Sequence, residues 1–151
     1  MNGGIRMLRI KYIIRLFENI GKVLVDIILG KYKALDIDTN NIEYIYYVFD
    51  KEDTDNIISD NYIKVSKYST NALAGITSPY ILYGFKEYPT KKQYEISKGT
   101  IIKDKAIIKF KYSSDKYPNI FTRKIDDSIL IPIQEDKFYL NDLEYTILDF
   151  E

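Results

Sequence analysis

The sequence of 151 residues contains neither cysteine nor histidine. Without cysteine, disulfide bonds and thiolate metal sites are excluded. Without histidine, the chain lacks the commonest general base, the commonest metal ligand and the usual partner of a serine or cysteine nucleophile. A hydrolase or metalloenzyme built from this chain would therefore have to work with carboxylates, lysine or tyrosine alone.

Complete phosphate-binding and calcium-binding loops are also missing. The seven glycines are scattered and form neither G-x-G-x-x-G nor G-x-x-x-x-G-K-[ST]. Asp50, Glu52, Asp53 and Asp55 resemble half of a calcium loop. A loop that started at Asp53 would need a glycine in the middle and a glutamate at its end, where Lys64 stands. We interpret this stretch as a solvated acidic turn or an interaction patch.

Two pairs of adjacent carboxylates, Asp126-Asp127 and Glu135-Asp136, are the remaining candidates for acid/base chemistry. Neighbouring residues of a strand point to opposite faces of a sheet, so neither pair forms a dyad on a strand. We therefore predict no catalytic residue, no metal ligand and no cofactor for this chain.

The charges are balanced in number but not along the chain. Lysine plus arginine and aspartate plus glutamate each total 22, which argues against nucleic acid as a partner. Residues 1–35 and 61–124 are mainly basic, whereas residues 36–60 and 125–151 are mainly acidic. Such blocks either form complementary faces between neighbouring subunits or interleave into an evenly mixed surface.

The longest apolar stretch runs from Ile5 to Leu29. Its polar side chains recur every three to four residues, which predicts an amphipathic helix with one narrow polar stripe; they are Lys11, Arg15, Glu18 or Asn19, Lys22 and Asp26. These charges leave no uncharged span of roughly 18 residues, which a transmembrane helix would need. Attachment to a membrane surface stays an alternative, because basic residues dominate the polar side.

From about Asn40 onward, short apolar and aromatic segments alternate with turn residues. We predict an α+β fold that is mainly β, with the N-terminal amphipathic helix packed on an antiparallel β-barrel or sandwich. Residues 1–35 would form the helical segment and residues 36–151 the β-rich domain. The predicted strands are Ile42–Phe49, Tyr62–Tyr68, Tyr80–Lys86, Gln93–Ser97, Ala106–Tyr112, Ile120–Ile125, Ile129–Ile133, Phe138–Leu140 and Leu143–Phe150. Asp50–Asp60 is predicted to form a short helix or a turn, and Ser69–Pro79 a loop. Asn141-Asp142 is predicted to be the turn of a C-terminal hairpin.

The apolar side of the predicted helix is wider than one face of a sheet covers. We therefore expect part of it to pack against another subunit, through Ile13, Ile20 and Ile27. Tyr80 and Tyr83 are further interface candidates, because tyrosine is frequent in protein interfaces. The expected partners are other protein subunits, most simply copies of the same chain.

Three segments together resemble the layout of ADP-ribosyltransferases: Tyr46-Tyr47, Tyr68-Ser69-Thr70-Asn71 and Asp126-Asp127-Ser128-Ile129-Leu130-Ile131-Pro132. That layout has an arginine or histidine on an early strand, a Ser-Thr-Ser segment, and Glu-x-Glu before an apolar strand. Here Tyr47 stands in the first position, Asn71 at the third serine and Ser128 at the catalytic glutamate. The resemblance implies a toxin-type transferase domain, active or degenerate.

The segment Phe138–Ile147 (FYLNDLEYTI) resembles the closing hairpin of small β-barrel head–tail joining and neck proteins of tailed phages. This resemblance implies a ring-forming virion component without catalysis. Our leading interpretation is a non-enzymatic structural or assembly protein, a subunit of an oligomeric complex in the cytoplasm or in a virion. A transferase-like toxin domain and a peripheral membrane-associated protein are the alternatives.

Overall fold

Most of the described chain consists of antiparallel strands. The computed structural model describes residue 20, residues 35–65, residue 67 and residues 80–151. Within these ranges nine strands form two sheets, and every strand pair is antiparallel. The mainly β prediction is therefore confirmed. The predicted N-terminal helix and its packing lie outside the described residues, apart from the single residue Ile20, as does the predicted loop Ser69–Pro79.

The two sheets differ in size. The large sheet has seven strands in the order β1-β6-β7-β4-β2-β5-β9, and the small sheet pairs β3 with β8. The strands are β1 Leu35–Asp36, β2 Tyr44–Asp50, β3 Tyr62–Lys64, β4 Tyr80–Phe85, β5 Lys105–Lys111, β6 Phe121–Thr122, β7 Ser128–Ile133, β8 Lys137–Tyr139 and β9 Tyr145–Asp149. Because β1 and β9 are each paired on one side, the sheet of the described residues is open. The predicted barrel is not formed by these strands.

Among the described residues, two short α-helices and two 3-10 helices, Thr39–Asn41 and Lys51–Asp53, join the strands. Helix α1 spans Thr54–Asp60, so the first of the two alternatives predicted for Asp50–Asp60, a short helix or a turn, is the one formed. Helix α2 spans Lys91–Lys98, where Gln93–Ser97 was expected to be a strand. That expectation is wrong because local capping favours a helix: the Thr90 hydroxyl accepts a hydrogen bond from the Gln93 N–H at 3.0 Å. Gly99, with φ of 80°, ends α2 in a conformation that favours glycine.

The main hydrophobic core lies between the large and small sheets. Alternate residues of β5, Ile108 and Phe110, are buried there, while Lys109 and Lys111 point to the other side. The alternation of apolar side chains with lysine in the sequence of Ala106–Tyr112 predicts the same arrangement. Phe138 of the small sheet and Ile57 of α1 belong to the same cluster. We call this side of the large sheet its core face.

The opposite side of the large sheet is covered by α2, and we call it the helix face. Tyr94 of α2 packs there against a cluster formed by Val48, Phe85 and Ile107. Strand β2 therefore has buried side chains on both faces and lies between β4 and β5. The sequence of Ile42–Phe49 predicts this central position, because it is apolar or aromatic on both faces. Gly84 allows close packing in this region, because a Cβ atom there would lie 2.5 Å from Ile45 Cγ2.

The fold is thus layered. The small sheet and α1 lie on one side of the large sheet, and α2 lies on the other. Among the described helices, none has both the length and the apolar character that crossing a membrane would require.

Candidate functional site

Of the five predicted interface residues, the described part of the chain contains Ile20, Tyr80 and Tyr83. Ile13 and Ile27 lie outside the described residues, and the Ile20 side chain is 48% exposed. Tyr80 packs beside the main core cluster, whereas Tyr83 packs beside Ile81 and Leu130 on the helix face. Because the two tyrosines are three residues apart on one strand, they point to opposite faces of the sheet. They cannot form a single tyrosine patch.

Tyr83 belongs to a polar cluster instead. The Lys98 ammonium lies 4.3 Å from the centre of the Tyr83 ring, and the Arg123 guanidinium carbon lies 4.5 Å from it. Both distances are within the range of cation–π attraction. Burial raises the pKa of the Tyr83 hydroxyl, so the ring remains neutral at physiological pH. Burial, together with the nearby Arg123, lowers the pKa of Lys98 to about 8.

A buried ion pair anchors this cluster to the turn between β6 and β7. Arg123 Nη2 donates to Asp126 Oδ2 at 2.7 Å, and the two side chains are 7% and 0% exposed. Arg123 Nε also donates to Ser128 Oγ at 3.2 Å, while the Ser128 N–H donates to Asp126 Oδ1 at 3.0 Å. Gln93 of α2 donates its side-chain amide to the Asp126 carbonyl at 2.8 Å. These contacts tie the turn to the helix that covers it.

A cleft opens where β2 and β4 separate. The register of these strands contains the single pair Tyr46 and Phe85, after which their ladder ends. The cleft has a volume of about 230 Å³ and is lined by aromatic rings and by both signs of charge, from Tyr47, Val48, Phe49, Asp50, Asp53, Tyr83, Phe85, Tyr94, Lys98 and Lys105. A neighbouring cleft of about 270 Å³ on the α1 side shares Tyr47, Phe49 and Asp53 with it. Tyr47 therefore lies between two openings in the molecular surface.

The electrostatics of the cleft favour neutral tyrosines and paired charges. Burial, together with neighbouring Tyr94, Asp50 and Asp53, raises the pKa of Tyr47 to about 12. Lys105 forms a short ion pair with Asp50. At this pKa Tyr47 acts as a hydrogen-bonding group and not as a base near neutral pH.

Acidic side chains at the end of β2 and just after it form ion pairs. Asp50 pairs with Lys105, and Glu52 accepts from Lys103 Nζ at 2.9 Å. Across the described ranges, no three acidic side chains are grouped so that they could hold a metal ion. The interpretation of this stretch as a solvated turn agrees with its exposure, since Lys51, Glu52 and Asp53 are all exposed.

The transferase-like segments are not assembled into one cleft by the described strands. Ser128 lies opposite Phe85, and Phe85 lies opposite Tyr46, so Ser128 and Tyr46 share the helix face. Tyr47, the next residue of β2, packs against the main core on the opposite face. Tyr47 lines the cleft, whereas Ser128 is buried beneath Arg123. Ser69 and Asn71 lie outside the described residues.

The C-terminal segment forms a crossover where a hairpin was expected. The turn at Asn141-Asp142 is present, and Asp142 has φ of 62°. However, β8 pairs with β3 in the small sheet, whereas β9 pairs with β5 in the large sheet. The predicted hairpin is therefore wrong, because each strand finds its backbone partner elsewhere.

Among the described strands, this crossover places β9 at an edge of the large sheet. The Lys111 N–H donates to the Glu144 carbonyl at 2.9 Å, so Glu144 faces β5. Because backbone groups alternate along an antiparallel strand, Thr146 and Leu148 also face β5, while Tyr145, Ile147 and Asp149 face outward. The Tyr88 hydroxyl confirms this alternation, because it donates to the Asp149 carbonyl at 2.7 Å. Sequence reasoning missed this edge, since edge position depends on long-range pairing.

Comparison of the chain with protein-family models, with curated proteins and with solved structures finds no match.

Proposed function

We propose that this chain is a non-enzymatic structural subunit of an oligomeric protein complex, and that it assembles through the outer edge of β9. The observation that carries the proposal is the outward direction of the N–H and C=O groups of Tyr145 and Ile147. An edge strand with such groups is a template for pairing with a further strand. The partner strand would satisfy these groups and extend the large sheet.

The side chains of β9 support this role. Proteins protect exposed edges with charged residues, proline or bulges. Residues 145–148 (YTIL) contain no charged residue and no proline. All four pair with β5 in a regular register, without a bulge. The first charged residue after them is Asp149, whose Oδ1 atom lies 3.4 Å from Lys51 Nζ. Tyr145 and Ile147 also pack beside the main core while half-buried, so a neighbouring strand would cover their remaining apolar surface.

Mass in solution tests this proposal. We expect the unmodified chain to sediment as an oligomer, and the variant Ile147→Pro to sediment as a monomer with an unchanged circular dichroism spectrum. Proline removes an N–H that faces outward, so the ladder between β9 and β5 keeps its hydrogen bonds. The same substitution deprives a partner strand of a donor and obstructs its approach.

Ile147→Val is the matched control, because it keeps the N–H and the β-branched side chain and should remain oligomeric. An unmodified chain that stays monomeric at every concentration studied would contradict the proposal. The resemblance to phage neck proteins relied on a C-terminal hairpin, which is replaced by the crossover. A more specific proposal, that the complex is part of a virion, is supported by the sequence resemblance alone.

A second candidate function is favoured by the cleft between β2 and β4. As this second candidate, we infer that the chain is a degenerate ADP-ribosyltransferase-like domain that keeps a nucleotide cleft at Tyr47 and lacks catalytic groups. The position of Tyr47 in the cleft supports this candidate, and the position of Ser128 on the other face explains why activity would be lost. Aromatic walls beside Lys98 suit a planar ring that carries an anionic group.

Calorimetric titration with a nicotinamide dinucleotide tests the second candidate. We expect binding by the unmodified chain, weakened by about 2- to 10-fold in Tyr47→Phe, because a neutral hydrogen bond contributes about 0.5–1.5 kcal/mol. Tyr139→Phe, at an exposed tyrosine of the small sheet, should bind like the unmodified chain. Absence of binding heat at several temperatures would rule this candidate out.

A further inference from the structure

We infer that the strand that pairs with β9 is β9 of a second copy, antiparallel, with Thr146 opposite the partner subunit's Thr146. This inference rests on the proposed function and specifies its partner and register. A two-fold axis brings the same surface of each copy together, so the edge must be complementary to itself. The backbone and side chains of β9 meet this requirement in one register.

The open backbone groups are centred on Thr146. Tyr145 and Ile147 each direct one N–H and one C=O outward, on either side of Thr146. Beyond Ile147, the Asp149 carbonyl already accepts from the Tyr88 hydroxyl, which in turn accepts from the Glu151 N–H at 3.0 Å. On the other side, Leu143 is bonded within the preceding turn, to the Leu140 carbonyl at 3.1 Å. Among the described residues, the part of the edge without a backbone partner therefore runs from Tyr145 to Ile147.

Two residues that face each other with outward groups exchange two hydrogen bonds in an antiparallel ladder. With Thr146 on the axis, Tyr145 lies opposite the partner subunit's Ile147, and symmetry repeats this pair. All four open groups of each copy are then used. A register centred on Ile147 would instead need the Asp149 carbonyl, which Tyr88 occupies. A register centred on Tyr145 would need an extended backbone at Leu143, which lies outside β9.

The side chains agree with the same register. Tyr145 beside the partner subunit's Ile147 forms an aromatic–β-branched pair on the core face, and the two threonines meet on the helix face. Pairs of these kinds stabilise antiparallel strands. Glu144 would lie opposite the partner subunit's Leu148, so no two carboxylates face each other directly. The Asp149 carboxylate is held by Lys51. This complementarity of β9 with itself favours a second copy over a strand of a different protein.

Disulfide trapping tests the register, because the natural chain has no cysteine. Facing residues without mutual hydrogen bonds have Cα atoms about 4.5 Å apart, which a disulfide spans. We expect oxidised Thr146→Cys to migrate as a covalent dimer and to return to the monomer on reduction. Leu148→Cys is the matched control on the same strand and face. Its thiol would lie four residues from its symmetry mate, about 13 Å away, and should not cross-link.

Sedimentation of the unmodified chain distinguishes a failure of this register from a failure of the proposed function. Efficient cross-linking of Thr146→Cys alone, in a chain that sediments as an oligomer, is the result expected. An oligomer in which Thr146→Cys fails to cross-link, or Leu148→Cys cross-links equally well, would overturn this register and leave the proposed function standing. A monomeric unmodified chain would overturn both, and β9 would then be open to a strand of another protein.

Discussion

Asp126→Ala is expected to destabilise the fold by about 3–5 kcal/mol, because it leaves the Arg123 guanidinium buried without its carboxylate. Both side chains are almost fully removed from solvent. The substitution also removes the acceptor of the Ser128 N–H, which is bonded at 3.0 Å. Urea denaturation followed by far-UV circular dichroism would show the loss as a lower midpoint with an unchanged slope.

Two further variants distinguish the effect of an unpaired buried charge from the effect of altering the turn. Asp127→Asn changes the exposed neighbour, whose φ of 53° asparagine tolerates, and should cost about 0.5 kcal/mol or less. The double variant Arg123→Met with Asp126→Leu removes both charges. It should recover much of the loss, since no unpaired charge remains buried. If Asp126→Ala is as stable as Asp127→Asn, the ion pair is not a stabilising element of this fold.

Local periodicity was sufficient to predict the central strands. The alternation in Ala106–Tyr112 places Ile108 and Phe110 on the core face, and the continuous apolar run Ile42–Phe49 becomes the central strand β2. In β5 the burial on the core face follows a two-residue repeat, whereas in β2 the apolar side chains of both faces are buried. No information about distant strands was needed to assign them.

Predictions that depended on pairing partners were less successful. The turn at Asn141-Asp142 forms, because aspartate tolerates a positive φ, yet β8 and β9 enter different sheets. A short apolar segment does not specify which strand will bond to it. The same reason explains why the open sheet, with β9 at its edge, could not be predicted. In contrast, α2 was misassigned although Thr90 and Gly99 at its ends were readable as capping signals.

The candidate sites were only partly predictable. Tyr47 was named for its place in a sequence layout, and it does line a cleft, but the cleft exists because β2 and β4 separate after one pair. Asp126 and Ser128 were named for possible chemistry and instead form a buried network with Arg123. Burial of this network arises from α2 covering the turn, which no local pattern contains.

Phe138→Ala is the second large effect we expect, at about 3–5 kcal/mol. The Phe138 ring lies 5.2 Å from the ring centres of both Phe110 and Tyr117, and it is 1% exposed. It is the main aromatic contact from the small sheet to the core face of the large sheet. A two-stranded sheet is marginally stable alone, so loss of this ring should weaken the attachment of β3 and β8.

Hydrogen exchange measures how this loss of stability is divided between the small sheet and the large sheet. Two amides whose hydrogen bonds extend the small sheet are suitable probes. The Val65 N–H donates to the Asp136 carbonyl at 2.7 Å, and the Leu140 N–H donates to the Asn61 carbonyl at 2.9 Å. Both should exchange faster in Phe138→Ala by a larger factor than amides of β5, because local opening of the small sheet precedes global unfolding. Tyr139→Ala, one residue along on the exposed side, should cost about 1 kcal/mol and leave this ratio unchanged. Equal acceleration in β5 and in the small sheet would mean that the two sheets unfold as one unit, so that the ring stabilises the whole core and not the attachment of the small sheet alone.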